Sequence, residues 1–152
     1  MIAVVQRVAH AQVVVDEKVV GQCGHGLMVL LGVAAEDTEA EARVIAQKLV
    51  KLRIFRDEND KMNLSIRDIG GEMLVISQFT LLADTSHGNR PSFIGAGSPV
   101  HANELYEKFL DLIREENIPV QAGVFGADMK VSLLNDGPVT IIMNSADYKY
   151  KK

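Results

Sequence analysis

A mixed α and β fold in a single domain, residues 1–152, is what the sequence predicts, with a mixed, largely antiparallel, barrel-like sheet packed on two helices. Three observations predict it. The chain of 152 residues has the length of one domain, and its 47% hydrophobic content is enough to fill one sizeable core. Strand patterns occupy both ends, while two capped helical patterns alternate with two continuous apolar runs in between. No repeat period and no linker-like stretch divides the chain.

Apolar alternation and β-branched residues predict strands at Ile2 to Val5, Val13 to Val15 and Val19 to Val20, with Asp16-Glu17-Lys18 turning between the last two. Gly24 and Gly26 punctuate the entry to Leu27-Met28-Val29-Leu30-Leu31, a run expected of a strand buried on both faces. Thr38 and Glu41 fit a capping box, after which Ala42, Ile45, Ala46, Leu49 and Leu52 recur at helical spacing. Met73-Leu74-Val75-Ile76 reads as a second central strand running into Ser77. Ser98 caps a second helix with Pro99 at its first position, burying Ala102, Leu105, Phe109, Leu112 and Ile113 before Pro119. Met129 to Leu134 and Val139 to Met143 are expected to form a hairpin around Asn135-Asp136-Gly137-Pro138. Between Ala83 and Gly97 periodicity is lost and Gly88, Pro91, Gly95 and Gly97 accumulate. A loop of that length serves a site or is a mobile surface segment.

Composition excludes several classes. A net charge of −4 argues against a protein that coats nucleic acid, DNA included, because sequence-independent phosphate binding needs a basic surface. The segment from Arg43 to Arg67 is locally basic, and Lys149, Lys151 and Lys152 add a basic tail, although solvated surface cations account for most of these. The longest apolar run, Leu27 to Ala35, is too short to cross a bilayer, and no basic segment with an apolar signal core opens the chain. One cysteine, Cys23, forms no internal disulfide. These features lead to the expectation of a cytoplasmic protein.

The four histidines, His10, His25, His87 and His101, show neither metal-ligand spacing nor an adjacent nucleophile motif, so no metal site is expected. Ser77, Gln78 and Thr80 differ, arriving at the C-terminal end of an apolar strand, where sheets commonly present ligand groups. Capping of the strand end is the other reading of the same residues. At the second position of interest, Pro138 removes a ladder N–H and fixes φ, so Asp136-Gly137-Pro138 implies a special backbone. The X–Pro base rate of about 5–6% cis makes trans the default there.

Taken together, Ser77-Gln78-Phe79-Thr80-Leu81 and Gly137-Pro138-Val139-Thr140 resemble the D-aminoacyl-tRNA deacylase family. Val5-Gln6-Arg7-Val8, Asn89-Arg90-Pro91-Ser92-Phe93 and Gly126-Ala127-Asp128-Met129 support the match. The resemblance implies a homodimer acting on the acceptor end of aminoacyl-tRNA without a cofactor. It also implies a cis Gly137-Pro138 pair that enters the other subunit's site and rejects L-substrates. Ser77, Gln78, Phe79 and Thr80 would form the catalytic segment, and Asn89, Arg90, Pro91 and Met129 would contact the acceptor end. Backbone N–H groups around Phe79 and Thr80 suit an oxyanion, whereas a Thr80 nucleophile would need a base that the sequence does not place beside it. Two rival readings are a non-catalytic small-molecule module and a protein that recognises folded RNA without cleaving anything.

Overall fold

The computed structural model describes residues 1–148, so the Lys149, Lys151 and Lys152 tail lies outside the described residues. The chain opens with β1, Ile2–Val15, a single strand where the pattern predicts two short ones. Polar Gln6, Arg7, His10 and Gln12 interrupt the apolar alternation without interrupting the ladder, because backbone groups pair whatever their side chains are. Asp16 and Glu17, at φ 48° and 67°, make a tight turn into β2, Lys18–Cys23, and β3, Gly26–Gly32, which follow one another along the same edge of β1.

Thr38 and Glu41 form the expected capping box at the start of α1, Glu39–Val50. Leu52 falls beyond the end of α1 and is half-buried. A small hairpin of β4, Phe55–Arg56, and β5, Met62–Leu64, then leads to β6, Glu72–Ser77, which pairs with β3 in parallel. Ser98 caps α2, Pro99–Glu115, with Pro99 in its first turn. Immediately after Pro119, β7, Val120–Ala122, adds to β6 in parallel, a strand too short to show a period in the sequence.

The predicted C-terminal hairpin is not formed. Residues Lys130–Asn144 make one strand, β8, antiparallel to β1 along nearly its whole length. Gln6 opposes Thr140 and Val8 opposes Asn135, so Asp136, Gly137, Pro138 and Val139 stand together opposite Arg7 alone. Asp136-Gly137 is therefore a bulge and not a reversal, since the segments on both sides of it find the same partner strand.

Both helices cover one face of the sheet. Leu27, Val29, Leu31, Met73 and Val75 meet Ala42, Ile45, Leu49, Leu105, Phe109 and Ile113 there. On the opposite face Met28, Leu74 and Ile76 pack with Val8, Val13 and Cys23 inside the roll of the sheet. This two-sided burial, about 1.5–3 kcal/mol for each large aliphatic side chain, explains why β3 and β6 read as continuous apolar runs. The roll is nearly closed: the Gln22 N–H donates to Gln121 Oε1 at 2.9 Å and the Gly24 N–H to Glu72 Oε2 at 2.8 Å. Cys23 sits in this lining, where burial, then the Glu72 charge, push its thiol up to about 11. It is a packing residue.

Candidate active site

The site begins where β6 ends. Ser77 lies beside Leu31 in the parallel ladder, and the Gln78 N–H still donates to the Leu31 carbonyl at 2.8 Å. The chain then winds into a short 3-10 helix, Phe79–Leu82, closed by Leu81 N–H to Gln78 O at 3.3 Å and Ala83 N–H to Thr80 O at 3.1 Å. The first N–H groups of any helix have no partner within it. Accordingly, among the described residues neither the Phe79 N–H nor the Thr80 N–H makes a hydrogen bond. Gly32 allows this turn to seat on β3, because a Cβ there would lie 2.7 Å from Leu82 Cδ2 and 3.0 Å from the Gln78 carbonyl. The Gln78 side-chain amide donates to Thr80 Oγ1, tying the two polar side chains to each other.

Beside this turn opens a cavity of about 580 Å³. Ser77, Gln78 and Phe79 form one wall, Met129 stands on another, and Ile76, Ala102, Tyr106 and Phe125 line its apolar interior. Tyr106, buried on α2, donates its hydroxyl to the Val75 carbonyl at 2.7 Å. Burial, then the charge of Glu107, push this phenol up to about 12, so it remains a neutral donor across the working pH range. Its ring lies 6.0 Å from that of Phe125. Phe93 reaches the rim and meets Phe79 edge-on, with ring centroids 5.1 Å apart. The arrangement suits a flat, largely apolar group held next to two free backbone donors.

Of the residues expected at the site, the cavity brings together Ser77, Gln78, Phe79 and Met129. Thr80 is exposed and outside its lining, as are Asn89, Arg90 and Pro91 on the long loop. That loop is braced and not slack: Asp84 and Ser92 exchange backbone bonds of 2.8 and 2.9 Å. The Asp84 carboxyl is held below its usual range by the Ser86 hydroxyl, then by the Ser86 N–H.

Gly137 and Pro138 are exposed at the β8 bulge, joined by a cis bond where the base rate favours trans. They lie outside the lining of the cavity. Two strands, β3 and β1, separate them from Ser77, and four residues of offset along β1 add to this, making on the order of 20 Å along the sheet. Arg7 pins the bulge from beneath. Its side chain is 2% exposed, its Nε donates to the Asp136 carbonyl at 3.0 Å, and its Nη1 donates to the Ile54 carbonyl at 2.7 Å. Asn135 Nδ2 holds the same turn by donating to the carbonyls of Arg7 and Val139, each at 3.0 Å. Gly137 is required here: its φ is +136°, and a Cβ would fall 2.9 Å from Arg7 Nη2.

Sequence reasoning missed the parts played by Arg7, Tyr106 and Phe125. An arginine inside an apolar strand was a signal for the first. Nothing local marked the other two: Tyr106 sits at helical spacing and reads as ordinary core, and Phe125 lies in a turn with no periodicity.

Unbonded backbone donors at the end of a parallel strand, beside an apolar cavity, give this small α/β protein a candidate enzyme site. The family described as D-Tyr-tRNA(Tyr) deacylase matches residues 4–144, and this chain belongs to it. A D-aminoacyl-tRNA deacylase of Deinococcus radiodurans is 57% identical over 144 residues, spanning 95% of this chain and 99% of that protein. One from Yersinia enterocolitica is 54% identical over 140 residues, spanning 92% and 97%. Among solved structures, a protein described as c-Myc DNA Unwinding Element Binding Protein superposes with a TM-score of 0.90 at 41% identity, covering 95% of this chain and 98% of that one.

Proposed function

We propose that this protein hydrolyses the ester joining a D-amino acid to the terminal ribose of tRNA in the cytoplasm, releasing the free amino acid and reusable tRNA. The observation that carries this reading is the unbonded Phe79 and Thr80 N–H pair on the turn whose Phe79 lines an apolar cavity of about 580 Å³. The terminal adenosine occupies the cavity against Tyr106 and Phe125, which brings the ester carbonyl to the two donors. Water adds to the carbonyl carbon, the two N–H groups bind the developing oxyanion, and the C–O bond to ribose breaks as the ribose oxygen takes a proton. The adjacent 2′-hydroxyl relays that proton. Ser77 and Gln78 orient the ester and ribose, and Asn89, Arg90, Pro91 and Met129 contact the acceptor end. Because the aminoacyl ester is already activated, this route requires no cofactor. An acidic protein need grip only the acceptor end of RNA, and duplex DNA is not its ligand.

Chiral selection in this reading belongs to a homodimer, in which the Gly137-Pro138 bulge of one copy enters the cavity region of the other. Two features support it. The bulge is exposed and remote from the cavity of its own chain. β8 pairs only with β1 among the described strands, and exposes Leu134 and Ile142. The bulge excludes an L side chain, so glycine on tRNA is also a substrate.

Purified protein is expected to release tyrosine from D-tyrosyl-tRNA while sparing L-tyrosyl-tRNA, and to run as a dimer in light scattering. Inactivity on every D-aminoacyl-tRNA would remove the enzyme reading, and a fully active monomer would remove the shared site. Thr80→Ala is expected to keep activity within about tenfold of the wild type, because its N–H is retained, whereas losing one oxyanion donor costs about 10²–10³-fold. An acyl-threonine intermediate trapped in rapid-quench mass spectrometry would show the hydroxyl to be the nucleophile instead.

A further inference from the structure

The long loop carries a feature that the reaction at the ester leaves unused. It is tied by backbone bonds at both ends: Asp84 pairs with Ser92, while Ala35 N–H donates to Gly95 O at 3.1 Å and Gly97 N–H donates to Val33 O at 2.9 Å. Between the ties stand Phe93 and Ile94, with Ala96 N–H closing a turn onto Phe93 O at 3.0 Å. Ile94 is 90% exposed, and the neighbouring Phe79 and Phe93 rings are 55% and 38% exposed. A segment braced in this way holds an isoleucine in water in one fixed place, which marks a contact surface. Arg90, on the same loop, is exposed and forms no ion pair among the described residues.

We infer that Phe93 and Ile94 form a stacking step for the base of the nucleotide that precedes the terminal adenosine, with Arg90 supplying a cation to the backbone of that strand. This rests on the proposed placement of the terminal nucleoside in the cavity. With the ribose ester at Phe79 and Thr80, the strand has to leave across the rim, and the Phe79–Phe93 pair is part of that rim. Aromatic faces for the bases, with cations along the same groove for the backbone, are how proteins hold single-stranded nucleic acid without reading its sequence, and this loop carries one of each. The rival occupant is a second copy of this chain, whose bulge is proposed to reach the cavity region, although the unpaired edge of β8 offers that copy a pairing surface that does not need this rim.

The test compares two substrates, D-tyrosyl-tRNA and 3′-O-(D-tyrosyl)adenosine, the second of which ends before the step. Phe93→Leu is expected to lower the ratio of kcat/KM on tRNA to kcat/KM on the adenosine ester about tenfold, the loss of one base–aromatic stack, and Phe93→Tyr to restore it. Ile94→Ser changes a side chain already in water, so it should fold normally, leave hydrolysis of the adenosine ester unchanged and raise KM on tRNA about threefold, less than the loss of a base–aromatic stack because an aliphatic side chain only flanks the base. An unchanged ratio in Phe93→Leu overturns the inference. So does a monomeric Ile94→Ser protein that loses activity on both substrates, which would make this rim a subunit contact. Failure of the wild-type protein on both substrates removes the enzyme reading itself, an outcome distinct from an unchanged ratio.

Discussion

Arg7→Met is expected to lower the unfolding free energy by about 3 kcal/mol and to reduce deacylation by more than about 100-fold. The methionine fills much of the volume of the arginine stem but donates nothing. The carbonyls of Ile54 and Asp136 each lose the partner they have in Arg7, at 2.7 and 3.0 Å. A buried acceptor left without a donor costs about 1–3 kcal/mol; the Ile54 carbonyl is orphaned in full, and the part-buried Asp136 carbonyl adds a smaller loss. Asp136 also loses the guanidinium 3.6 Å from its carboxylate, a minor effect because that side chain is 40% exposed. The activity loss has a separate origin. Without the tie beneath it the bulge keeps only its Asn135 bonds, and in the proposed shared site a displacement of about 1 Å is enough to cost about 100-fold. Arg7→Lys should recover little, since an ammonium on a flexible stem cannot span both carbonyls as the fork does. Urea unfolding at constant protomer concentration, with D-tyrosyl-tRNA hydrolysis measured in parallel, decides the matter. Stability within about 0.5 kcal/mol of the wild type would show that Arg7 does not hold the bulge.

Glycyl-tRNA and D-alanyl-tRNA are expected to be cleaved at rates within about tenfold of each other, and L-alanyl-tRNA at least about 1,000-fold more slowly, a difference of about 4 kcal/mol. D and L isomers differ only in the direction in which the side chain leaves Cα. A site that must accept many D side chains cannot choose them by shape, so exclusion of the L direction is the simpler device. Gly137 and Pro138 have the properties of such a wedge. The proline ring fixes one φ, Gly137 sits at φ +136° against Arg7 and Val139, and Asn135 and Arg7 brace the turn. The carbonyls of Gly137 and Pro138 would accept hydrogen bonds from the substrate's α-ammonium. Glycine offers the wedge nothing to meet. Initial rates on the three substrates at equal concentration provide the comparison, and cleavage of D-alanyl-tRNA alone would reveal a pocket that reads the D side chain positively.

Much of the fold was legible because local signals agreed with tertiary demands. The Thr38–Glu41 capping box, the Ser98-Pro99 helix start and the two-sided burial of Leu27 to Leu31 and Met73 to Ile76 all rest on patterns of a few residues. The errors share one cause. Asp136-Gly137 has hairpin chemistry, and Gln6, Arg7, His10 and Gln12 look like a strand ending, but each was settled by which distant strand lay alongside. The short strand β7 was invisible for the same reason, since its pairing with β6 and not its composition makes it a strand.

By itself the sequence determined the class of fold, its two helices and their caps, the two buried central strands, and the two segments, Ser77 to Leu81 and Gly137 to Thr140, on which the family resemblance rests. Tertiary structure alone decided that Ser77, Gln78 and Phe79, at the start of a turn whose Phe79 and Thr80 N–H groups are unbonded, line a cavity backed by Tyr106 and Phe125, and that Gly137-Pro138 projects from a bulge pinned by Arg7. The division follows from the range of the forces. Periodicity, capping and turn chemistry act over a few residues and leave their mark in local order. A cavity, by contrast, is the space left between β6, α2 and the segment before β8, and the bulge is held by an arginine 129 residues earlier in the chain, far beyond the reach of any local pattern.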